Sequence, residues 1–300
     1  MHSEDDPLSL PTPEQGEAVS SPVERAPEGP LSARPGAARP AAAAQFVPED
    51  LRAPWGWVDL LLFALIAVAG TVVLGVVVFL GFAAFGVSLE ELRSPGRIQG
   101  VFNIACEVLL FAGLIGYLAL QIELRFRAPF WQTIGWHRLQ ARRFPPTLTY
   151  VGWILGGFLL AFVVQLASAI FGTKANLPIE ALFQDRLTAV LVLLLAVLLA
   201  PFVEETIFRG YIFPVVARSF GRGVGVVATG ILFGLLHAAQ LWGGWTEIGL
   251  LIFVGIVFTY ARAVEATVLA SYLLHVSYNF AVSLAFLIGS HWLRVLPPSP

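Results

Sequence analysis

The chain has 300 residues, a formal net charge of −2 and a mean hydropathy of +0.77. Only 13% of its residues are charged, against about 25% in soluble domains. These values exclude an ordinary soluble domain and predict a protein that crosses the lipid bilayer several times. The excess of basic residues beyond residue 50 is too small to indicate a nucleic-acid partner. The single cysteine, Cys106, excludes a disulfide within the chain.

The first 50 residues differ in composition from the rest of the chain. They are rich in Pro, Ala, Glu and Ser, and carry nine acidic side chains against three arginines. Such a segment buries too little apolar surface to offset the entropy cost of ordering it. It also lacks the charged, apolar and small-residue pattern of a signal peptide. We therefore predict a disordered tail over residues 1–50 and a transmembrane domain over residues 51–296.

From Trp55 onward, the apolar runs have the lengths of membrane-spanning helices. About 20 apolar residues span a bilayer, so the pattern predicts an all-α fold, a polytopic transmembrane helical bundle of about seven spans, within a range of six to eight. The fourth run contains Pro201 and Pro214, which predict a kink or a break in its helix. The predicted spans are 57–85, 101–122, 150–171, 187–213, 224–241, 247–262 and 267–289.

The distribution of arginines predicts the orientation. The loop over residues 123–149 carries five of them, and basic residues accumulate in cytoplasmic loops. This places the N-terminus in the cytoplasm and predicts a multi-pass protein of a bacterial plasma membrane. Within the same loop, the Trp-containing segment 129–140 is expected to lie at the membrane interface.

An acidic pair, Glu204 and Glu205, interrupts the fourth apolar run. Ionisable groups at membrane depth are costly and generally mark functional sites. Glu205 and Arg209 are four residues apart and share one helix face, so we expect them to pair. Glu204 is turned about 100° away on the same helix and remains available as a general base. The alternative is an ion cluster that only holds helices together.

The later spans add His237, His275 and Asn279. His275 and Asn279 are four residues apart on one helix face, and both can donate hydrogen bonds to one point, as an oxyanion site requires. Taken singly, each of these residues is also compatible with polar packing between helices. Glu204 and these three side chains all lie near the middle of their spans, and this agreement favours a shared catalytic site.

The same residues form three motifs in a fixed order. They are E-E-T-I-F-R at 204–209, F-G-L-L-H at 233–237 and H-V-S-Y-N at 275–279, which match EExxxR, FxxxH and HxxxN. The chain over about residues 150–290 therefore resembles the CPBP/Abi family of intramembrane proteases, which includes the type II CAAX prenyl endopeptidases.

The resemblance implies an intramembrane endopeptidase, and its partners would be the lipid bilayer and a membrane-associated, CAAX-like peptide or protein. It implies that Glu204 and His237 activate the hydrolytic water, and that His275 and Asn279 stabilise the oxyanion. Glu205 and Arg209 would support them.

Three alternatives remain open. Glu204, His237 and His275 could instead hold a catalytic zinc ion, although the spacing of Asn279 from His275 favours a site without a cofactor. A proton- or cation-coupled transporter could use Glu107 of the second span as a relay residue. A non-catalytic membrane protein of the bacteriocin-immunity type could keep the same fold. The helical zinc signature H-E-x-x-H and the nucleophile motif G-x-S-x-G are both missing from the sequence.

Overall fold

The computed structural model describes residues 47–140, 144–172 and 177–296. Within these ranges the secondary structure is helical, and no β-strand occurs among the described residues. The prediction of an all-α polytopic bundle is confirmed. The predicted disordered tail lies outside the described residues except at positions 47–50.

The described residues form nine helices, numbered in chain order. Their bounds are α1 Trp57–Ala84, α2 Leu89–Arg93, α3 Arg97–Arg125, α4 Phe130–Thr133, α5 Pro146–Phe171, α6 Arg186–Phe220, α7 Arg222–Leu236, α8 Trp245–Glu265 and α9 Val268–Gly289. Two short 3₁₀ turns, Glu49–Leu51 and Pro178–Phe183, lie outside them.

Six of these helices, α1, α3, α5, α6, α8 and α9, are long and apolar enough to cross a membrane. The fifth predicted span, 224–241, is a shorter apolar helix. It ends at Leu236 and is followed by turns over residues 237–243. The apolar run continues past the helix end, which is why the sequence predicted a longer span.

Helix α6 continues through both of its prolines. Proline lacks a backbone N–H and cannot complete the helical ladder. Two segments of α6, Leu195–Leu199 and Thr206–Ile212, are π-helical. The first ends just before the α-helical turn that contains Pro201, and the second ends just before the turn that contains Pro214. Wider turns of this kind re-aim the side chains that follow and are frequent at functional sites.

One end of the bundle gathers segments that are distant in sequence. Asp50 pairs with Arg222 at 2.6 Å and with Arg262 at 3.4 Å. Trp55 is buried, stacks on Tyr211 and donates from Nε1 to the Tyr211 carbonyl at 2.8 Å. The chain before α1, the α6–α7 turn and the end of α8 therefore meet on one side, as the predicted alternation of spans requires.

The segment expected at the interface reaches the same end. The Val268 amide donates to the Gly135 carbonyl at 2.9 Å, and the Thr267 hydroxyl donates to the His137 carbonyl at 2.7 Å. Phe130 and Ile134 are buried in the main apolar core, whereas Trp131 is half exposed. Backbone hydrogen bonds thus join the segment to the α8–α9 turn, and its buried side chains pack into the core.

Close packing between α5 and α9 fixes the position of α9 in the bundle. A Cβ atom on Gly157 of α5 would lie 2.0 Å from the Ser277 hydroxyl and 2.4 Å from the Leu274 carbonyl, both on α9. Small residues allow such close contact between helices in a membrane. Ser277 lies midway between His275 and Asn279, so this contact sets the position of the third motif.

We predict that Gly157→Ala destabilises the fold by about 1–3 kcal/mol, because the added methyl group overpacks a contact that involves backbone. Activity should fall with it, since α9 must move away from α5. Gly152→Ala on the same helix is the matched control, because no atom lies within 4 Å of the position that its added methyl group would take. Thermal unfolding of the two purified variants in one detergent provides the measurement, and equal melting temperatures would contradict this account of the packing.

Candidate active site

The Glu204 carboxylate lies between two histidines from different helices. Its Oε1 is 3.6 Å from Nε2 of His237, and its Oε2 is 3.7 Å from Nε2 of His275. The three side chains come from α6, the C-terminal cap of α7 and α9. All three are largely enclosed, with 15%, 22% and 4% of the respective side-chain surfaces exposed.

Hydrogen bonds on the far side of each ring fix the orientation of both histidines. His237 Nδ1 lies 2.7 Å from the Phe233 carbonyl, and His275 Nδ1 lies 2.9 Å from Oε1 of Glu205. Both partners are acceptors, so each Nδ1 carries the proton and each Nε2 is turned toward Glu204. The four-residue spacing of the FxxxH motif is explained by this bond to the backbone.

The distances from Glu204 to the two rings are too long for direct hydrogen bonds. In the neutral histidine form, each Nε2 is an acceptor, and so is each carboxylate oxygen. Acceptors that face each other need a bridging water, an added proton or a cation between them. The geometry therefore gathers one carboxylate and two ring nitrogens in one region without a direct bond between them.

Glu205 and Arg209 form a fully buried ion pair, as their spacing predicts. Arg209 Nη1 donates to Glu205 Oε1 at 2.9 Å, and neither side chain is exposed. Arg209 also donates to the Thr259 hydroxyl at 3.1 Å and to the Gly255 carbonyl at 2.7 Å. Its guanidinium lies 4.7 Å from the centre of the Phe233 ring, so a cation–π contact adds to the pair.

Asn279 bonds to the irregular part of α6. Its Nδ2 donates to the Ala196 carbonyl at 2.7 Å. Ala196 lies in the first π segment. In a π-helix its carbonyl would accept a hydrogen bond from the backbone N–H of the residue five positions later, and that residue is Pro201. Because Pro201 has no N–H, Asn279 satisfies a carbonyl that would otherwise lack its partner. The amide nitrogen carries a second hydrogen, which this bond does not use.

Helix α8 supplies residues that the sequence reasoning missed. Phe258 stacks on the His275 ring, with centroids 4.3 Å apart and an angle of 29° between the planes. Thr259 and Gly255 accept hydrogen bonds from Arg209. An aromatic residue, a threonine and a glycine in an apolar run are ordinary packing residues, so no sequence signal singled them out.

The zinc alternative has mixed geometric support. Among residues 47–140, 144–172 and 177–296, no group of three or more His, Cys, Asp or Glu side chains has the arrangement of a metal site. Both histidines nevertheless have acceptors on Nδ1, and zinc-bound histidines usually have such partners. The sequence had offered no candidate for these partners.

The fold and site together define an integral membrane protein with a buried Glu–His cluster inside a helical bundle. Residues 186–281, which contain all three motifs, match a family model described as type II CAAX prenyl endopeptidase Rce1-like. The match confirms, over this part of the chain, the similarity to the CAAX protease family that the motifs predicted. No curated protein and no solved structure shows a significant match to the chain.

We predict that Glu205→Gln destabilises the folded protein by about 3–5 kcal/mol, because it leaves the buried Arg209 charge without its counter-ion. Glu204→Gln is the matched control: the same substitution at the adjacent, partly exposed position should leave the melting temperature within a few degrees of the wild type. Thermal unfolding in detergent provides the comparison. A Glu205→Gln protein as stable as Glu204→Gln would show that the ion pair does not hold the fold.

Proposed function

We propose that the protein is an intramembrane endopeptidase that hydrolyses a peptide bond in a membrane-associated, CAAX-like substrate. The observation that carries the proposal is the Glu204 carboxylate, enclosed between two histidines that both turn Nε2 toward it. The family match over residues 186–281 supports the same reaction class.

In the proposed reaction, Glu204 accepts a proton from a water molecule that His237 helps to orient. The water oxygen bonds to the scissile carbonyl carbon, and the carbonyl oxygen becomes an oxyanion. The carbon–nitrogen bond then breaks, and Glu204 returns the proton to the leaving amine. The reaction consumes one water, and Glu204 ends in its starting state.

The oxyanion would be stabilised by His275 and the second amide hydrogen of Asn279. Donors aimed at developing charge in an enclosed site contribute strongly to catalysis. For His275 to donate from Nε2 while Nδ1 bonds to Glu205, the ring must be positively charged.

The two other functional classes make different predictions for the same cluster. A transporter would need a continuous polar path across the bundle, and a non-catalytic relative would tolerate loss of Glu204. Neither requires Glu204 to face two oriented histidine rings. The endopeptidase uses every member of the cluster in a stated role.

For localisation, we propose a bacterial plasma membrane with the N-terminus in the cytoplasm. The arginine-rich loop after α3 supports this orientation through the positive-inside rule. The bundle end that gathers Asp50, Arg222 and Arg262 would then face the cytoplasm.

We predict that Glu204→Gln lowers turnover by about 10²–10⁴-fold, the usual effect of losing a general base. The substitution keeps the side-chain shape, so folding should be unaffected. Cleavage of a prenylated CAAX-type peptide by purified protein in lipid vesicles provides the measurement. Glu123→Gln, an exposed position at the end of α3, is the control and should remain fully active.

Two results would overturn the endopeptidase proposal. One is an undiminished cleavage rate in Glu204→Gln. The other is the absence of any wild-type cleavage, both of the test peptide and in a comparison of membrane proteomes from wild-type and Glu204→Gln cells. Ion flux into vesicles that depends on Glu204 would then favour the transporter.

A zinc ion would be held by Glu204, His237 and His275, and would supply a Lewis acid and an activated water. We propose instead that the Glu–His cluster works without a metal, and we predict that exhaustive chelation leaves turnover unchanged. Metal content and activity should be measured on the same preparation. Activity that is lost on chelation and restored by one equivalent of zinc, with a zinc content that falls in His237→Ala, would establish the metal mechanism.

A further inference from the structure

Glu107 is a carboxylate in the middle of α3 that the proposed chemistry leaves unused. It is half-buried, and it makes no hydrogen bond or ion pair with any other residue that the structure describes. Its strongest charged neighbours are Glu204 and His237, with which it interacts electrostatically. An acidic side chain in a membrane span without a bonded partner needs another explanation than helix packing.

The packing of α3 on α6 shows where Glu107 lies. A Cβ atom on Gly100 would be 2.4 Å from the Thr188 side chain, and the Tyr211 hydroxyl donates to Gln121 at 2.8 Å. In both contacts the α6 residue follows its α3 partner by about 90 positions. The two helices therefore run in the same direction, with this constant difference between the residue numbers that face each other. Glu107 therefore lies between the helix ends near Thr188 and the level of Glu204.

The same face of α3 points toward the active site. Glu107 follows Gly100 by seven residues and precedes Leu114 by seven, and residues seven apart share a helix face. Leu114 packs in the core cluster that includes Val203, the residue before Glu204. The Glu107 carboxylate is thus on the side of α3 that faces the catalytic segment of α6.

A polar stripe leads along α3 to Glu107. Gln99, Asn103 and Glu107 follow one another at intervals of four residues, so they line one side of the helix. Asn103 is exposed, and Gln99 is near the end where Arg97 pairs with Asp185 at 3.1 Å. Between Glu107 and Gln121, the helix has no charged or amide side chain. The stripe ends at Glu107, which the register of α3 on α6 places level with the first π segment, Leu195–Leu199.

We propose that the stripe of Gln99, Asn103 and Glu107 is the water inlet of the active site, and that Glu107 is a positioning residue that holds water beside Glu204 and His237. The proposal rests on the endopeptidase function, in which every turnover consumes one water. The ligand is water, delivered from the Arg97–Asp185 end of the bundle.

The chemistry of an unpartnered carboxylate supports this role. A carboxylate in apolar surroundings is strongly disfavoured unless its oxygens accept hydrogen bonds. Ordered water supplies such bonds at buried polar sites and bridges neighbouring polar groups. α3 lies outside the segment that matches the family model, so the inlet is a feature that the motifs do not report.

Thiol labelling tests water access without any need for turnover. In a Cys106→Ala background, Asn103→Cys and Glu107→Cys are compared with Leu109→Cys, which is exposed at the same depth but lies on the opposite face of α3. Because a thiol reacts as its thiolate, which forms only in a polar setting, positions 103 and 107 should react about tenfold faster with a charged methanethiosulfonate. Equal, slow reaction at 107 and 109 would overturn the inlet.

Kinetics of two Glu107 variants test the positioning role. Glu107→Gln keeps a polar group that binds water and should retain turnover within about threefold, whereas Glu107→Leu should lower kcat by about tenfold or more with KM unchanged. Glu123→Gln on the same helix is the control. Full activity in Glu107→Leu, or equal inactivity in both Glu107 variants, would overturn the role in holding water.

The two experiments separate this proposal from the proposed function. Wild-type protein that cleaves no peptide would refute the endopeptidase, and the labelling ratio between positions 107 and 109 would still report whether water enters along α3. Active enzyme with an unreactive position 107 would refute the inlet alone.

Discussion

The buried ion pair between Glu205 and Arg209 is the interaction on which the site depends. A guanidinium inside a helical bundle needs a counter-ion and hydrogen-bond acceptors. Arg209 has the counter-ion Glu205 on its own helix and two further acceptors, Gly255 and Thr259, on α8. Glu205 in turn accepts from His275 on α9. One charge pair therefore joins three helices and orients the His275 ring.

The irregular backbone of α6 is equally necessary to the geometry. Pro201 removes a backbone donor just before the acidic pair, and the helix widens into a π segment ahead of it. The Ala196 carbonyl, which this leaves without a backbone partner, accepts a hydrogen bond from Asn279. A regular helix would have no need for that bond, so the distortion is what couples α6 to the third motif.

Adjacent glutamates have different surroundings because a helix turns about 100° per residue. Glu205 faces inward, is fully buried and is neutralised by Arg209. Glu204 faces two histidine rings and keeps part of its surface accessible. The buried ion pair and the partly accessible carboxylate therefore belong to neighbouring positions. Phe233 contributes to both, because its carbonyl fixes His237 while its ring packs against Arg209.

The sequence by itself determined the fold class, the number of spans to within one, the family resemblance and the side chains of the candidate site. Those features follow from hydrophobic run length and from spacings within one helix, which are local properties. It did not reveal that Glu205 is the partner of His275, that Asn279 bonds to Ala196, or that α8 contributes Thr259, Gly255 and Phe258. Each of these contacts joins two helices, and only their relative register, set by close packing such as that at Gly157, decides which side chains meet.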